Sequence, residues 1–168
     1  LRGEAFYTGN AIDYRPGVRI ERIDAGGRNL EISGGGVLAF DHLILATGSR
    51  PRLLPLPGSD LSGVLSLRSL ADARRIRDLS ARSEDVVILG GGFIGLEIAA
   101  TLRAAGRTVT VVEAVDRLLG RAVAPVVASH VRQRLEAAGV RILTGTSISR
   151  LEGENGHVVA AMTSSGGK

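Results

Sequence analysis

The sequence predicts an α/β fold in which a short β-meander precedes a parallel sheet with helices between its strands. Two observations support this fold class. Before residue 50, glycine-rich turns separate short segments of strand-like alternation, and after residue 69, helical segments alternate with β-branched apolar runs. The chain has 168 residues and is 44% apolar, which is enough for one domain plus part of another.

The first fifty residues are expected to form the meander. We predict strands at residues 18–24 (VRIERID) and 29–33 (NLEIS), followed by a third at 42–48 (HLILATG) whose apolar centre, residues 43–46, is buried. Glycines at 26–27 and 34–36 supply the turns. This region is too small to be a whole domain.

Residues 51–58 (PRLLPLPG) are expected to form a stiff connector. Three prolines within this stretch forbid a long helix and disfavour a central strand. We therefore predict a domain boundary here, with one unit over residues 1–58 and another over 59–168.

The remaining chain alternates between helices and strands. Ser69 is placed to cap a helix that runs to about Ala81, with Asp72 in the capping-box position. Another helix begins with Pro125 in its first turn and ends before Gly139. The other predicted elements are strands at 86–89, 108–112, 141–143, 147–151 and 157–162, and a helix at about 93–105. The strand–helix–strand order indicates a parallel sheet.

Composition excludes several classes of site. The chain has no cysteine, and its three histidines are far apart, so we expect no metal site. The net charge is +4, but the arginines are interleaved with acids and aromatics are only 3%, which argues against nucleic-acid binding. Solvated arginine-rich faces explain the arginines better, and the alternative is a docking surface for an acidic protein partner.

No apolar run is long enough for a membrane span, and no segment has the character of a leader. We therefore expect a cytoplasmic protein without membrane association. The chain starts at Leu1 rather than Met, as a piece of a longer protein would.

The spacing Gly90-x-Gly92-x-x-Gly95 within VVILGGGFIGLE matches the fingerprint of a dinucleotide-binding, Rossmann-like domain. Gly90 would allow a tight turn out of the strand, Gly92 would let a pyrophosphate approach the backbone, and Gly95 would let the helix lie close to the strand. The first helical N–H groups would face the phosphates, so we assign cofactor binding to the whole run. Its members are Gly90, Gly91, Gly92, Phe93, Ile94 and Gly95. The alternative is that the glycines only make a tight turn in a non-binding domain.

A carboxylate follows at the end of the next strand. Glu113 stands twenty-three positions after Gly90, where it can accept hydrogen bonds from the adenosine ribose hydroxyls and repel a 2′-phosphate. This favours NAD over NADP. Arg117 and Arg121 follow in the sequence and could weaken that preference, and we include Arg121 among the candidate cofactor contacts.

Three segments in combination resemble the FAD-dependent NADH reductases that serve ferredoxins, rubredoxins and putidaredoxins. The segments are DHLILATGSRPRLLPLPG, SLRSLADARRIR and VVILGGGFIGLEIAATLRAAGRTVTVVEAVDRLLGR. The resemblance implies a partial FAD-domain segment followed by an NAD-binding domain that is cut off at its C-terminal end. It also implies hydride transfer from NADH to FAD, and then one-electron transfer to a small iron–sulfur protein or rubredoxin.

The resemblance also assigns residues. Ala46, Thr47 and Gly48 would pass near FAD, and Arg50 would reach it. Glu97, which we expect in the first turn of its helix, would face the nicotinamide as a candidate catalytic residue, although the helix dipole alone would favour a carboxylate there.

Two other readings remain. The chain could be a non-catalytic NAD-binding module, or it could be the core of an NADH oxidase or nitrite-reductase subunit. The family's first FAD fingerprint and its late Gly-Asp segment do not occur in these residues. We therefore expect this piece alone to be inactive.

Overall fold

The computed structural model describes residues 3–120 and 122–164. The chain divides into two compact units, one ending at Gly48 and the other beginning at Ser49. The elements of the first unit are α1 (Glu4–Gly9), β1 (Ile20–Asp24), β2 (Asn29–Ile32) and β3 (Val37–Ala39). Those of the second are α2 (Leu70–Ser80), β4 (Asp85–Leu89), α3 (Phe93–Ala104), β5 (Thr108–Val112), α4 (Pro125–Ala137), β6 (Arg141–Leu143), β7 (Ile148–Glu154) and β8 (His157–Thr163).

The first unit contains the predicted meander as an antiparallel sheet in the order β1-β2-β3. The turn between β1 and β2 is closed by the Asp24 carboxylate, which accepts a hydrogen bond of 2.9 Å from the Gly27 amide. Leu30 in the central strand is buried, with the apolar residues Ile23 and Leu38 directly opposite it on the two flanking strands. The helix α1 was not expected from the sequence.

The third strand of the meander differs from the prediction. It is formed by Val37–Ala39, whereas residues 41–48 have no strand structure. The expected burial of residues 43–46 is also wrong, because Ile44 is 88% exposed and Leu45 is 64% exposed. A buried strand needs neighbours along both edges, and in the described part of this unit the three meander strands pair only with one another.

The second unit is built on the expected parallel sheet, in the order β4-β5-β6. The strand predictions for 108–112 and 141–143 are confirmed to the residue, and β4 begins one residue before its predicted start. The helix α3 packs against β4 and β5. The core lies between this helix and the sheet, with Ala99, Val109 and Val111 almost inaccessible to solvent.

Both capping predictions are confirmed. The Ser69 hydroxyl accepts from the Asp72 amide, and the Asp72 carboxylate accepts from the Ser69 amide at 2.8 Å. Pro125 opens α4, and the chain leaves this helix through Gly139 at a φ of 89°. The helix ends are therefore set locally by sequence.

The strands β7 and β8 form a separate antiparallel hairpin. The end of the connector and the residues that follow it lie along this hairpin, since the Leu151 amide donates to the Pro57 carbonyl at 2.8 Å and the Val158 amide donates to the Ser62 carbonyl at 2.9 Å. The proline-rich residues 51–58 have neither helix nor strand, as predicted.

Candidate functional site

The glycine run forms the connection between the end of β4 and the start of α3. Gly90 has a φ of 111°, a backbone conformation that side-chain-bearing residues rarely adopt. Its amide donates to the Val112 carbonyl at 2.8 Å, so the turn is tied to the neighbouring strand. A residue with a Cβ would be strained at this position.

Gly92 leaves the start of α3 open. It is the N-cap residue, and no side chain caps the helix. A Cβ built on Gly92 would meet no atom within 4 Å, and the residue is exposed. The free amides of a helix N-terminus and its partial positive charge therefore face accessible space here, which suits a phosphate group.

Gly95 lies where the helix approaches the sheet. A Cβ at this position would collide with the Gly90 carbonyl oxygen and would come within 3.3 Å of the Ile88 side chain. The packing role expected for Gly95 thus has a direct geometric basis.

The Glu113 carboxylate faces the glycine run. One oxygen accepts a hydrogen bond of 2.7 Å from the Gly91 amide, and the other accepts one of 3.0 Å from the Val115 amide. Each carboxylate oxygen has a second lone pair. The residue is half-buried, so its carboxylate is held in place yet can still accept hydrogen bonds from a ligand.

Gly91 differs from its neighbours because it is buried. Its amide is taken by Glu113, and its carbonyl accepts a hydrogen bond of 3.0 Å from the Leu119 amide. Leu118 packs against the same residue. The glycine motif gives no sign of either leucine, because only the fold brings residues 118–119 to a loop more than twenty positions earlier in the sequence.

The remaining residues of the fingerprint lie in the first turns of α3. Phe93 is 56% exposed and Ile94 is 59% exposed. Glu97 is the fifth residue of the helix, so the expectation that it lies in the first turn is wrong. A helix that begins at Phe93 completes its first turn at Leu96, so Glu97 opens the second turn.

Glu97 and Ile94 line a cavity of about 560 Å³ between α2 and α3. The volume falls within the range of about 300–1,000 Å³ that small-molecule sites occupy. Its walls are mainly apolar, and Arg68, Arg77 and Arg107 add positive charge. The cavity therefore joins a carboxylate, apolar walls and cationic groups beside the helix that starts at the glycine run.

The residues assigned to FAD lie outside the helices and strands. Ala46, Thr47 and Gly48 are exposed at the end of the first unit, and Arg50 is exposed near the start of the second. Gly48 has a φ of 75°, which explains a glycine at that point. Arg121 lies outside the described residues.

Residues 3–120 and 122–164 include no cluster of three His, Cys, Asp or Glu side chains that could hold a metal ion. Within the same ranges, none of the helices has the length and apolar character needed to cross a bilayer.

Comparison with known proteins gives consistent results. Residues 4–168 match the family model described as pyridine nucleotide-disulphide oxidoreductase. A rubredoxin-NAD(+) reductase from Pseudomonas putida is 44% identical over 168 residues, which is 100% of this chain and 44% of that protein.

Two solved structures match 99% of this chain, and the matched region is 41% of the chain in each of those structures. One is a ferredoxin reductase from Rhodopseudomonas palustris, with 37% identity and a TM-score of 0.89. The other is putidaredoxin reductase in a covalent complex with putidaredoxin, with 34% identity and a TM-score of 0.85. The chain thus spans less than half the length of the relatives it matches.

Proposed function

The chain belongs to the pyridine nucleotide-disulphide oxidoreductase family, and we propose that it is the NAD(H)-binding core of a flavin-dependent oxidoreductase. The whole protein would pass hydride from NADH to FAD and then electrons to a ferredoxin or rubredoxin. The relatives named rubredoxin-NAD(+) reductase and ferredoxin reductase support this reaction class.

One observation carries the NAD-binding part of the proposal. The open N-cap at Gly92 lies beside a carboxylate that is already fixed 2.7 Å from the Gly91 amide. A pyrophosphate would rest against the amides of Gly92, Phe93 and Ile94, because Gly91 has no free amide. The ribose hydroxyls would donate to the remaining lone pairs of Glu113.

The same carboxylate supports a preference for NAD(H) over NADP(H). A 2′-phosphate on the adenosine ribose would lie next to the negative charge of Glu113 and repel it. The Arg117 guanidinium is bound to the backbone carbonyls of Gly120 and Val123, so it is not aimed at such a phosphate.

We place the nicotinamide half of the cofactor toward the cavity lined by Ile94 and Glu97. These residues continue α3 from the phosphate position, and the cavity offers apolar walls for an aromatic ring. Glu97 would act as a catalytic residue by contacting the nicotinamide, and its exposed carboxylate leaves it accessible.

The assignment of residues 1–58 to an FAD domain and 59–168 to an NAD domain belongs to the same proposal. Ala46, Thr47, Gly48 and Arg50 would be this chain's contribution to the flavin site. FAD, when bound, supplies the change from two-electron to one-electron chemistry that an iron–sulfur or rubredoxin partner needs. We assign the protein to the cytoplasm, where NADH would be available as the donor.

Isothermal titration calorimetry tests the proposal. NAD⁺ and NADP⁺ are suitable probes, since the oxidised forms cannot transfer hydride during the titration. We expect saturable NAD⁺ binding that is at least about tenfold tighter than NADP⁺ binding. Equal or tighter NADP⁺ binding would overturn the role given to Glu113.

A valine at the open N-cap tests the phosphate position. In Gly92→Val the isopropyl group would fill the space left for the pyrophosphate, and NAD⁺ binding should be lost while the circular dichroism spectrum is kept. Ala100→Val places the same side chain on the exposed part of α3 and serves as the control. Unchanged affinity in Gly92→Val would refute the phosphate site.

A further inference from the structure

We propose that Arg117 and Leu119 are positioning residues that hold the glycine run in its binding shape before any ligand arrives. The inference rests on the proposed NAD-binding function and adds residues that the fingerprint does not contain. We call Glu113, Arg117, Leu118 and Leu119 the brace, because each either contacts Gly91 or fixes a residue that does.

The brace holds Gly91 from three directions. The Gly91 amide donates to the Glu113 carboxylate at 2.7 Å, and the Gly91 carbonyl accepts from the Leu119 amide at 3.0 Å. A Cβ on Gly91 would come within 2.5 Å of the Leu118 side chain, so the Leu118 side chain packs directly against the α-carbon of Gly91. Gly91 therefore has little freedom to move, and Gly92 follows directly after it.

Leu119 adopts a conformation that needs an explanation. Its φ of 52° lies in the left-handed region, which costs a residue with a side chain about 1 kcal/mol or more. Such a cost persists only where the surroundings impose it. Here the conformation directs the Leu119 amide at Gly91, while both leucine side chains are buried in the core, Leu118 at 2% and Leu119 at 6% exposure.

Arg117 closes the turn that presents these leucines. The residue is half-buried, and its guanidinium donates to the carbonyls of Gly120 and Val123, the latter at 3.4 Å. The Leu119 carbonyl in turn accepts from the Ala122 amide at 2.9 Å. From the sequence, Arg117 could have been a partner of a 2′-phosphate. In the structure its guanidinium instead donates to backbone carbonyls of the same turn.

A glycine run that is held in place before binding lowers the entropic cost of binding the dinucleotide. Amides that already point toward the phosphate position lose little conformational freedom when the ligand binds. If the contacts of Arg117 with the Gly120 and Val123 carbonyls are lost, Leu119 and then Gly91 become less constrained, and the amides that follow Gly91 no longer keep one fixed orientation. Dinucleotide affinity should then fall although every fingerprint residue is intact.

Arg117→Met tests this, because it removes the guanidinium and keeps the apolar stem. We expect NAD⁺ affinity, measured by calorimetry on the whole protein, to fall about tenfold, which is the order expected for losing one or two hydrogen bonds. NADP⁺ affinity should fall by the same factor. Arg117→Lys should resemble Arg117→Met, since one ammonium group cannot reproduce the forked geometry. Should Arg117→Met fail to fold, Arg117→Gln carries the same comparison.

Arg103 offers a matched control. Its guanidinium also donates to backbone carbonyls, to Ala138 at 2.8 Å and Arg107 at 3.2 Å, but it lies in the last turn of α3. Arg103→Met should lower the melting temperature and leave NAD⁺ affinity unchanged. Hydrogen exchange of a peptide covering residues 86–96 should accelerate in Arg117→Met and not in Arg103→Met.

These measurements distinguish a failure of the proposed NAD-binding function from a failure of the brace. Wild-type protein without saturable NAD⁺ binding would overturn the proposed function and this inference together. Wild-type binding with unchanged affinity in Arg117→Met would overturn the brace alone. A selective loss of NADP⁺ binding, or full rescue by Arg117→Lys, would show that the charge of Arg117 meets the ligand and would also overturn it.

Discussion

Replacing Gly95 with alanine should destabilise the second unit, because this glycine is where α3 touches the sheet. The new methyl group would collide with the Gly90 carbonyl oxygen and approach Ile88 within 3.3 Å. The carbonyl cannot easily withdraw, since the Gly90 amide is hydrogen-bonded to Val112 at 2.8 Å. The helix would have to move away from β4.

The expected loss is about 2 kcal/mol of unfolding free energy. Overpacking typically costs about 1–3 kcal/mol, and a clash with a fixed backbone atom belongs at the upper end. The higher helix propensity of alanine offsets about 1 kcal/mol of this destabilisation. For a unit of this size the melting temperature should fall by roughly 4–10 °C.

Urea denaturation followed by circular dichroism measures this loss, with Gly92→Ala as the matched control. A Cβ at Gly92 meets nothing within 4 Å, so the control should lose less than about 1 kcal/mol, from its N-cap position alone. Equal destabilisation by the two alanines would refute the close contact assigned to Gly95.

Two other substitutions test the electrostatics. The Ser69 hydroxyl, together with the amides of Ser69 and Arg68, holds the pKa of Asp72 below its ordinary value of 3.8, so its stabilising effect is complete above about pH 4 and is lost as the pH falls through the lowered pKa. Asp72→Asn should therefore be less stable than wild type near neutral pH, and the difference should shrink on acidification to about pH 2; a constant difference in urea titrations would contradict this. Glu113→Gln removes the charge and leaves one of the Gly91 and Val115 amides without its carboxylate oxygen. It should weaken NAD⁺ binding and bring the NAD⁺ and NADP⁺ affinities closer together in calorimetry, whereas an unchanged affinity ratio would count against charge repulsion as the source of selectivity.

Local signals in the sequence predicted the second unit well. Capping residues lie within a few positions of the helix ends they define, so Ser69 and Asp72 were sufficient to place α2. The β-branched run TVTVV placed β5 to the residue, because such runs pack well in a buried strand of a parallel sheet. The glycine spacing also located the loop between β4 and α3, because the geometry of that loop is set by residues close to one another in sequence.

Features that depend on distant partners were not predictable in this way. The run at 43–46 has strand-like composition, but its structure depends on whether other strands pair with it. The contacts of Gly91 with Leu118 and Leu119 join segments that the sequence separates by more than twenty residues. A left-handed leucine also leaves no compositional mark, because glycine or asparagine is the usual signal for that conformation.

A crystal structure of the protein grown with saturating NAD⁺ would test the central claim most directly. The account predicts pyrophosphate oxygens at about 3 Å from the amides of Gly92, Phe93 and Ile94, with the adenosine ribose hydroxyls on the Glu113 carboxylate. Density for the adenosine half elsewhere, with the glycine loop free of ligand at saturation, would contradict it.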